Sequence, residues 1–224
     1  MIEVEGLTKI YGKKDSAFTA LEDISLKIKK GESVAIIGKS GSGKSTLMHL
    51  LALLDQPTDG SIKINGKDTS KMHEAELGRL RNQEFGFVFQ QFFMNAHETV
   101  LSNVALPLGI AGVSSSERSK QALRALKAVG LEDKAKSKAN DLSGGQKQRV
   151  CIARALVNNP SVIFADEPTG NLDSVTGEAV EKLLFDLHEK KGATLIIVTH
   201  DADLAKKCDR RIRVKDGKIV KEMA

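Results

Sequence analysis

Three stretches near the start of the chain alternate apolar and polar side chains with a period of two: Met1 to Lys9, Ala20 to Ile28 and Ser61 to Asn65. Successive side chains of a strand point to opposite faces, so this alternation predicts strands with one face packed and the other in water. Breaks at Gly12, Gly31, Gly60 and Gly66 separate them, as expected of an antiparallel sheet. Ser33 to Ile37, Val162 to Ala165 and Thr194 to Val198 have a different texture. They are short continuous apolar runs, the pattern of strands covered on both faces within a parallel sheet. Between the first and second of these runs the chain reads as mostly helical. Glu117 to Val129 sets Ala122, Leu123, Leu126 and Val129 on one stripe, and Gly130 stands where a helix ends. Gly109 to Ser116 is small and polar and predicts a loop.

The expected architecture is therefore α/β and a single domain. A parallel-sheet core and an N-terminal antiparallel β subdomain take residues 1–90 and 158–224, and a helical subdomain is inserted at about 91–157. Neither a linker rich in Pro, Gly or Ser nor an internal repeat interrupts this pattern.

Composition narrows the classes without choosing a function. At 224 residues and 41% hydrophobic the chain can bury a sizeable core, which excludes disorder and removes any need for a disulfide or metal staple. No apolar run approaches the length of a membrane-spanning helix, and MIEVEGLTKIYGKK lacks the apolar segment of a secretory signal, so the expected compartment is the cytosol. Cys151 and Cys208 lack metal-ligand spacing and read as packing residues. The net charge of +5 comes from 34 basic against 29 acidic residues mixed along the chain, and aromatics are only 4%. That combination argues against a nucleic-acid groove lined by stacking rings and leaves mild attraction to an anionic membrane surface open.

Chemistry enters directly after the first buried run. Gly38, Lys39, Ser40, Gly41, Ser42, Gly43, Lys44, Ser45 and Thr46 form a complete Walker A loop between a predicted strand and a predicted helix. The glycines let successive N–H groups face phosphate oxygens, and the helix aims its positive end at the same place. Lys44 supplies a mobile charge for the β- and γ-phosphates, and the Ser45 hydroxyl is a ligand for Mg²⁺. The second buried run ends in Asp166, Glu167 and Pro168. A carboxylate at the C-terminal end of such a strand suits a Walker B acid, which makes Asp166 the magnesium acid and Glu167 the group that activates water. His200 closes the third run, where an imidazole can reach a γ-phosphate.

Within the helical stretch, Leu142, Ser143, Gly144, Gly145 and Gln146 run into a helical sequence. Ser143 can cap that helix, and two glycines leave first-turn N–H groups bare, so this is a second anion-binding helix N-terminus. It could close on the same nucleotide as the first or on one held by another copy of the chain.

With Walker A, Walker B and His200, this segment resembles the ATP-binding cassette family over essentially the whole length, and so implies a P-loop NTPase core. The resemblance implies that Tyr11 stacks on adenine, that Gln90 in the strand end Gly86 to Gln91 is the Q-loop glutamine and touches Mg²⁺, and that Asn171, Leu172 and Asp173 form a D-loop. It implies ATP and Mg²⁺ as cofactors and a head-to-tail homodimer in which Ser143, Gly144, Gly145 and Gln146 meet the nucleotide bound at the partner's Walker A loop. Catalysis then falls to Glu167, His200 and Lys44, and metal binding to Ser45, Gln90 and Asp166. Asp166 to Ser174 and Phe87 to Phe92 are similar to the ATPase subunits of lipoprotein-release and macrolide-export systems, as is the insert Lys13 to Phe18. That group implies an integral-membrane permease as partner, docking near Phe92, Phe93 and Met94, with the chain at the cytoplasmic face of the membrane. A cell-division relative, a nucleotide-dependent scaffold, shares the pattern. Two positions depart from the family: Lys39 stands where Pro is usual, and Asn95, Ala96, His97 and Glu98 replace a Leu-Ile-Pro-like stretch.

Overall fold

The computed structural model describes residues 1–223, the side chain of Asp15 excepted. The first third contains β1 (Ile2–Tyr11), β2 (Phe18–Ile28), β3 (Ser33–Ile37), α1 (Lys44–Leu51), β4 (Asp59–Ile64) and β5 (Lys67–Asp68). There follow α2 (Glu74–Glu84), β6 (Phe85–Phe89), α3 (Val100–Ile110), α4 (Ser115–Ala128), α5 (Gly144–Leu156) and β7 (Val162–Asp166). The chain closes with α6 (Ser174–Lys191), β8 (Thr194–Thr199), α7 (Ala202–Lys206), β9 (Arg210–Lys215) and β10 (Lys218–Met223).

Packing divides these elements into two compact units. One comprises Met1–Gly78 and Thr194–Ala224, the other Arg79–Ala193. The second is larger than the inserted lobe expected at 91–157, because it also takes in β6, β7 and α6.

In the first unit β1 pairs antiparallel with both β2 and β4, and β4 with β5. The period-two alternation is the reason: Ile2 and Val4 are buried while Glu3 and Glu5 face outward and pair with Lys27 and Lys63, and a register shift at Gly6 then returns Leu7 to the buried face. The two continuous apolar runs form β3 and β8, which pair in parallel, and β3 also pairs in parallel with β9. Val34, Ala35, Ile36, Leu195, Ile196 and Ile197 are fully buried, as strands covered on both faces require.

In the second unit β6 and β7 pair in parallel. Five of the chain's eight phenylalanines meet here. Phe164 packs against Phe85 and Phe87 with ring centroids 5.2 and 5.7 Å apart, Phe87 stacks on Phe89 at 5.7 Å, and Phe89 meets Phe93 edge to face at 5.5 Å. Each such pair contributes about 0.5–1.5 kcal/mol beyond burial of its area.

The loop expected over Gly109 to Ser116 is shorter than the composition suggested. Residues 109 and 110 finish α3, and Ser114 already stands at the N-cap of α4. The helix carries Pro107 inside it, and Asn82 donates a hydrogen bond of 3.1 Å to the Pro107 carbonyl. Burial of Val100, Val104 and Leu108 along one face outweighs the weak helix preference of Pro and Gly. Of the expected α4 stripe, Ala122, Leu126 and Val129 are buried but Leu123 is exposed at the edge of the buried face, and Gly130 stands at a left-handed φ of 68° just beyond the helix.

Candidate functional site: two glycine-rich helix starts

The register of the parallel pairs brings the first group of candidates together. Ile37 lies opposite Thr199, so the Walker A loop and His200 leave neighbouring strands at the same level. Gly38 to Gly43 then turn into α1, whose N-cap is Gly43 at φ 103°, without a side-chain cap. A Cβ there would lie 2.7 Å from the Ala20 carbonyl and 2.9 Å from Leu21, so both φ and space demand glycine. An uncapped helix start leaves first-turn N–H groups for a ligand, and its dipole favours an anion. Lys44 lies over this turn and donates to the Lys39 carbonyl at 3.0 Å, while Lys39, Ser40, Gly41 and Ser45 are exposed and Thr46 is half-buried. The Ser42 hydroxyl is buried and has no protein partner among the described residues. An orphaned hydroxyl inside a glycine-rich loop fits a site built for polar ligand oxygens. The Lys39 side chain points to solvent, which explains why a lysine is tolerated where proline is usual.

Tyr11 sits at the end of β1, 40% exposed. Its hydroxyl donates to Asp55 at 2.7 Å, and the Lys9 ammonium lies 4.7 Å from its ring centroid while also pairing with Asp55 at 2.7 Å. Burial and the Asp55 carboxylate raise the Tyr11 pKa, so it remains a neutral phenol. Asp55 was invisible to sequence reasoning, because it reaches the tyrosine across 44 positions.

The second unit repeats the geometric device. Phe89 lies opposite Asp166, so Gln90 and Glu167 follow paired strand ends directly. Glu167 adopts φ 45°, a left-handed conformation that costs a non-glycine residue about 1 kcal/mol or more and gathers at functional sites. Gln90 is exposed and exchanges hydrogen bonds with Asn171: its amide donates to Asn171 at 3.2 Å, and Asn171 donates to the Gln90 carbonyl at 2.9 Å. This interlock ties Gln90 to the turn that carries Asn171. Asp173 caps α6, accepting from the Thr176 N–H at 3.0 Å. That bond, together with the Thr176 hydroxyl, lowers its pKa.

The turn Leu142 to Gln146, here the signature turn, is built as a capping box. The Ser143 hydroxyl accepts from the Gln146 N–H at 3.4 Å, and the Gln146 side chain accepts from the Ser143 N–H at 3.0 Å. Gln146 therefore spends its amide oxygen on the cap, whereas the Gly144 and Gly145 N–H groups lie in the first turn. A Cβ on Gly145 would collide with Thr176 of α6, so this glycine is also a packing requirement. Beside the turn opens a cleft of about 510 Å³ bordered by Ser143, Arg149 and Val175.

Further along α5, Arg154 donates to the Phe93 and Phe92 carbonyls at 2.8 and 2.9 Å, and Cys151 lies 3.2 Å from the latter. Phe93 projects 67% exposed at φ 43°, with Phe92 and Met94 half-buried beside it. The departing segment is anchored: buried Asn103 accepts from the Asn95 N–H and donates back to its carbonyl. Both cysteines are buried and burial pushes their thiols up, to about 11 for Cys151 and about 12 for Cys208, which agrees with a packing role.

Comparison with known proteins agrees with these motifs. The chain is 47% identical over 222 residues to the lipoprotein-releasing system ATP-binding protein LolD of Bacteroides thetaiotaomicron, covering 99% of this chain and 100% of that protein. It is 49% identical over 220 residues to the macrolide export ATP-binding/permease protein MacB of Mannheimia succiniciproducens, covering 98% of this chain but only 34% of the relative. The dimeric post-hydrolysis structure of the ATP-binding cassette MJ0796 bound to ADP and Pi superposes with a TM-score of 0.91 at 45% identity, over 100% of this chain and 98% of that one. The ABC transporter profile matches residues 21–170, and with that match the phosphate loop, the capped signature turn and the strand-end acids find their common explanation: the chain belongs to the ABC transporter family.

Proposed function

We propose that this chain is a Mg²⁺-dependent ATPase that works as a homodimer and powers an integral-membrane permease of the lipoprotein-release or macrolide-export kind. The observation that carries the reading is Glu167, held at φ 45° immediately after the strand-terminal Asp166 and level with Gln90 on the paired strand. A carboxylate fixed in this way can take the proton of a water that attacks the γ-phosphate in line. The Walker A loop and Lys44 bind the phosphates, His200 stabilises charge on the γ-phosphate, and Tyr11 offers adenine the ring face opposite Lys9. Ser45, Asp166 and Gln90 present hard oxygen donors suited to Mg²⁺, which when bound neutralises phosphate charge. The resemblance to a dimeric cassette bound to ADP and Pi supports turnover and dimerisation. Gly144 and Gly145 supply the amides that meet the nucleotide held by the second copy, and Asp173 sits alongside them as the α6 cap.

The exposed Phe93, gripped from behind by Arg154, is the anchor we assign to the permease contact. Among the described residues no helix is long and apolar enough to cross a membrane, so in this reading the permease holds the chain at the cytoplasmic face.

The test is purified protein assayed for phosphate release with and without Mg²⁺. Glu167→Gln should lose turnover by about 10²–10⁴-fold while still binding ATP, and should accumulate as an ATP-dependent dimer. Absence of Mg²⁺-dependent turnover in the wild type, together with absence of that dimer, contradicts the reading.

A further inference from the structure

Gln148 lies inside α5, two residues beyond the signature turn, and is 1% exposed. Its side-chain amide donates to the Pro168 carbonyl at 2.6 Å and, more weakly, to the Phe89 carbonyl at 3.4 Å. Those carbonyls belong to the residue after Glu167 and the residue before Gln90. The Gln148 amide oxygen is buried and has no partner among the described residues. A buried glutamine with an orphaned acceptor is a poor way to stabilise a helix interface, since an apolar side chain of similar size would avoid that desolvation cost. What the amide supplies instead is a fixed anchor for two turns that carry reactive side chains. The Glu167 turn needs one, because φ 45° is a conformation that persists only when its surroundings over-determine it. On its other side the turn is closed by the Gly170 N–H donating to the Glu167 carbonyl at 3.0 Å.

We propose that Gln148 is a positioning residue for hydrolysis: from within the signature helix its amide sets the Glu167 turn and the entry to Gln90 together. This rests on the reading of Glu167 as the water-activating group. Because the anchor acts on placement of the base and not on the phosphate loop, its loss should slow turnover and spare nucleotide binding. Because Gln148→Met also leaves the buried Pro168 carbonyl without its donor, the thermal midpoint should fall modestly while the variant stays folded.

The experiment compares the full-length wild type with Gln148→Met, which keeps the volume, and Gln148→Asn, which keeps the amide but withdraws it by one methylene. Steady-state ATP hydrolysis, the Kd for a fluorescent ATP analogue (mant-ATP) and the thermal midpoint are measured for each. The expected result is a kcat lower by roughly tenfold to a hundredfold with Kd within about twofold of wild type. Exchange of the Gly170 amide, followed by NMR, should be faster in Gln148→Met. Unchanged kcat in a folded variant, a Kd that weakens in step with kcat, or unaltered Gly170 exchange overturns the proposal. A wild type without Mg²⁺-dependent turnover refutes the ATPase reading, whereas a turning-over wild type matched by Gln148→Met refutes only the role of Gln148.

Discussion

The N-termini of α1 and α5 are both glycine-rich helix starts, yet they are finished in opposite ways. Gly43 begins α1 in a left-handed conformation with no side chain over the first turn, and Lys44 arches across it. Ser143 begins α5 with a reciprocal capping box that already consumes the Gln146 amide. The first is a standing anion site, since its orphan donors and the helix dipole both face a ligand. The second is stable without a ligand and keeps only the Gly144 and Gly145 amides in reserve. In the proposed function the first grip acts within one chain, while the second acts when a second copy brings a nucleotide to it.

The largest effect expected from this contrast is at Lys44. Replacing it with Ala removes the mobile charge from the standing grip and should weaken mant-ATP binding by about a hundredfold or more, with the thermal midpoint of the nucleotide-free protein little changed. An unchanged Kd would mean that the α1 grip does not depend on that charge. Next comes Gly145→Ala, whose methyl group must displace Thr176. It should destabilise the fold by about 1–3 kcal/mol in denaturant titration, because the glycine is held by packing as well as by function. A neutral result would break the claim that α5 and α6 touch closely at this turn.

How far these features were legible in the sequence follows the range of the interactions that make them. The alternating strands, the buried runs, the phosphate loop and the α4 stripe depend on neighbours a few positions away, and period and spacing are enough to read them. The Ser143 cap is equally local. Gln148 is bonded to a carbonyl 20 positions away, and Tyr11 to a carboxylate 44 positions away, so neither pairing leaves a periodic trace. The short loop after α3 was misjudged for a related reason: Gly109 and Pro107 argue locally for a break, and the burial that overrules them comes from elsewhere in the unit. The scarcity of aromatics was visible in the composition. Their concentration between Phe85 and Phe93 was visible in the sequence too, and only the packing of Phe164 against that cluster emerged in three dimensions.

The smallest effect concerns acid. The Ser143 cap on α5 has no titrating group, whereas the neighbouring helix α6 is capped by Asp173, whose pKa is lowered by the Thr176 N–H and hydroxyl. A depressed carboxylate contributes stability above its unfolded value and loses it as pH falls through the folded one. Protection of the Thr176 amide, relative to its intrinsic exchange rate at each pH, should therefore fall on acidification below the ordinary aspartate range while that of Gln146 changes less. Equal loss of protection at both amides would remove the distinction between the two caps.

The central claim, that the signature turn grips a nucleotide only across a dimer, is tested most directly by separating its cap from its anion site. In a Glu167→Gln background, Ser143→Ala gives up the cap at a cost of about 1 kcal/mol but keeps the glycine amides, whereas Ser143→Asp keeps a good cap and adds a negative charge where a phosphate would sit. Light scattering with saturating ATP should show dimers for Ser143→Ala and monomers for Ser143→Asp, with mant-ATP still bound at the Walker A loop of both. Dimers of undiminished stability with Ser143→Asp, or loss of mant-ATP binding by its monomer, would contradict the account.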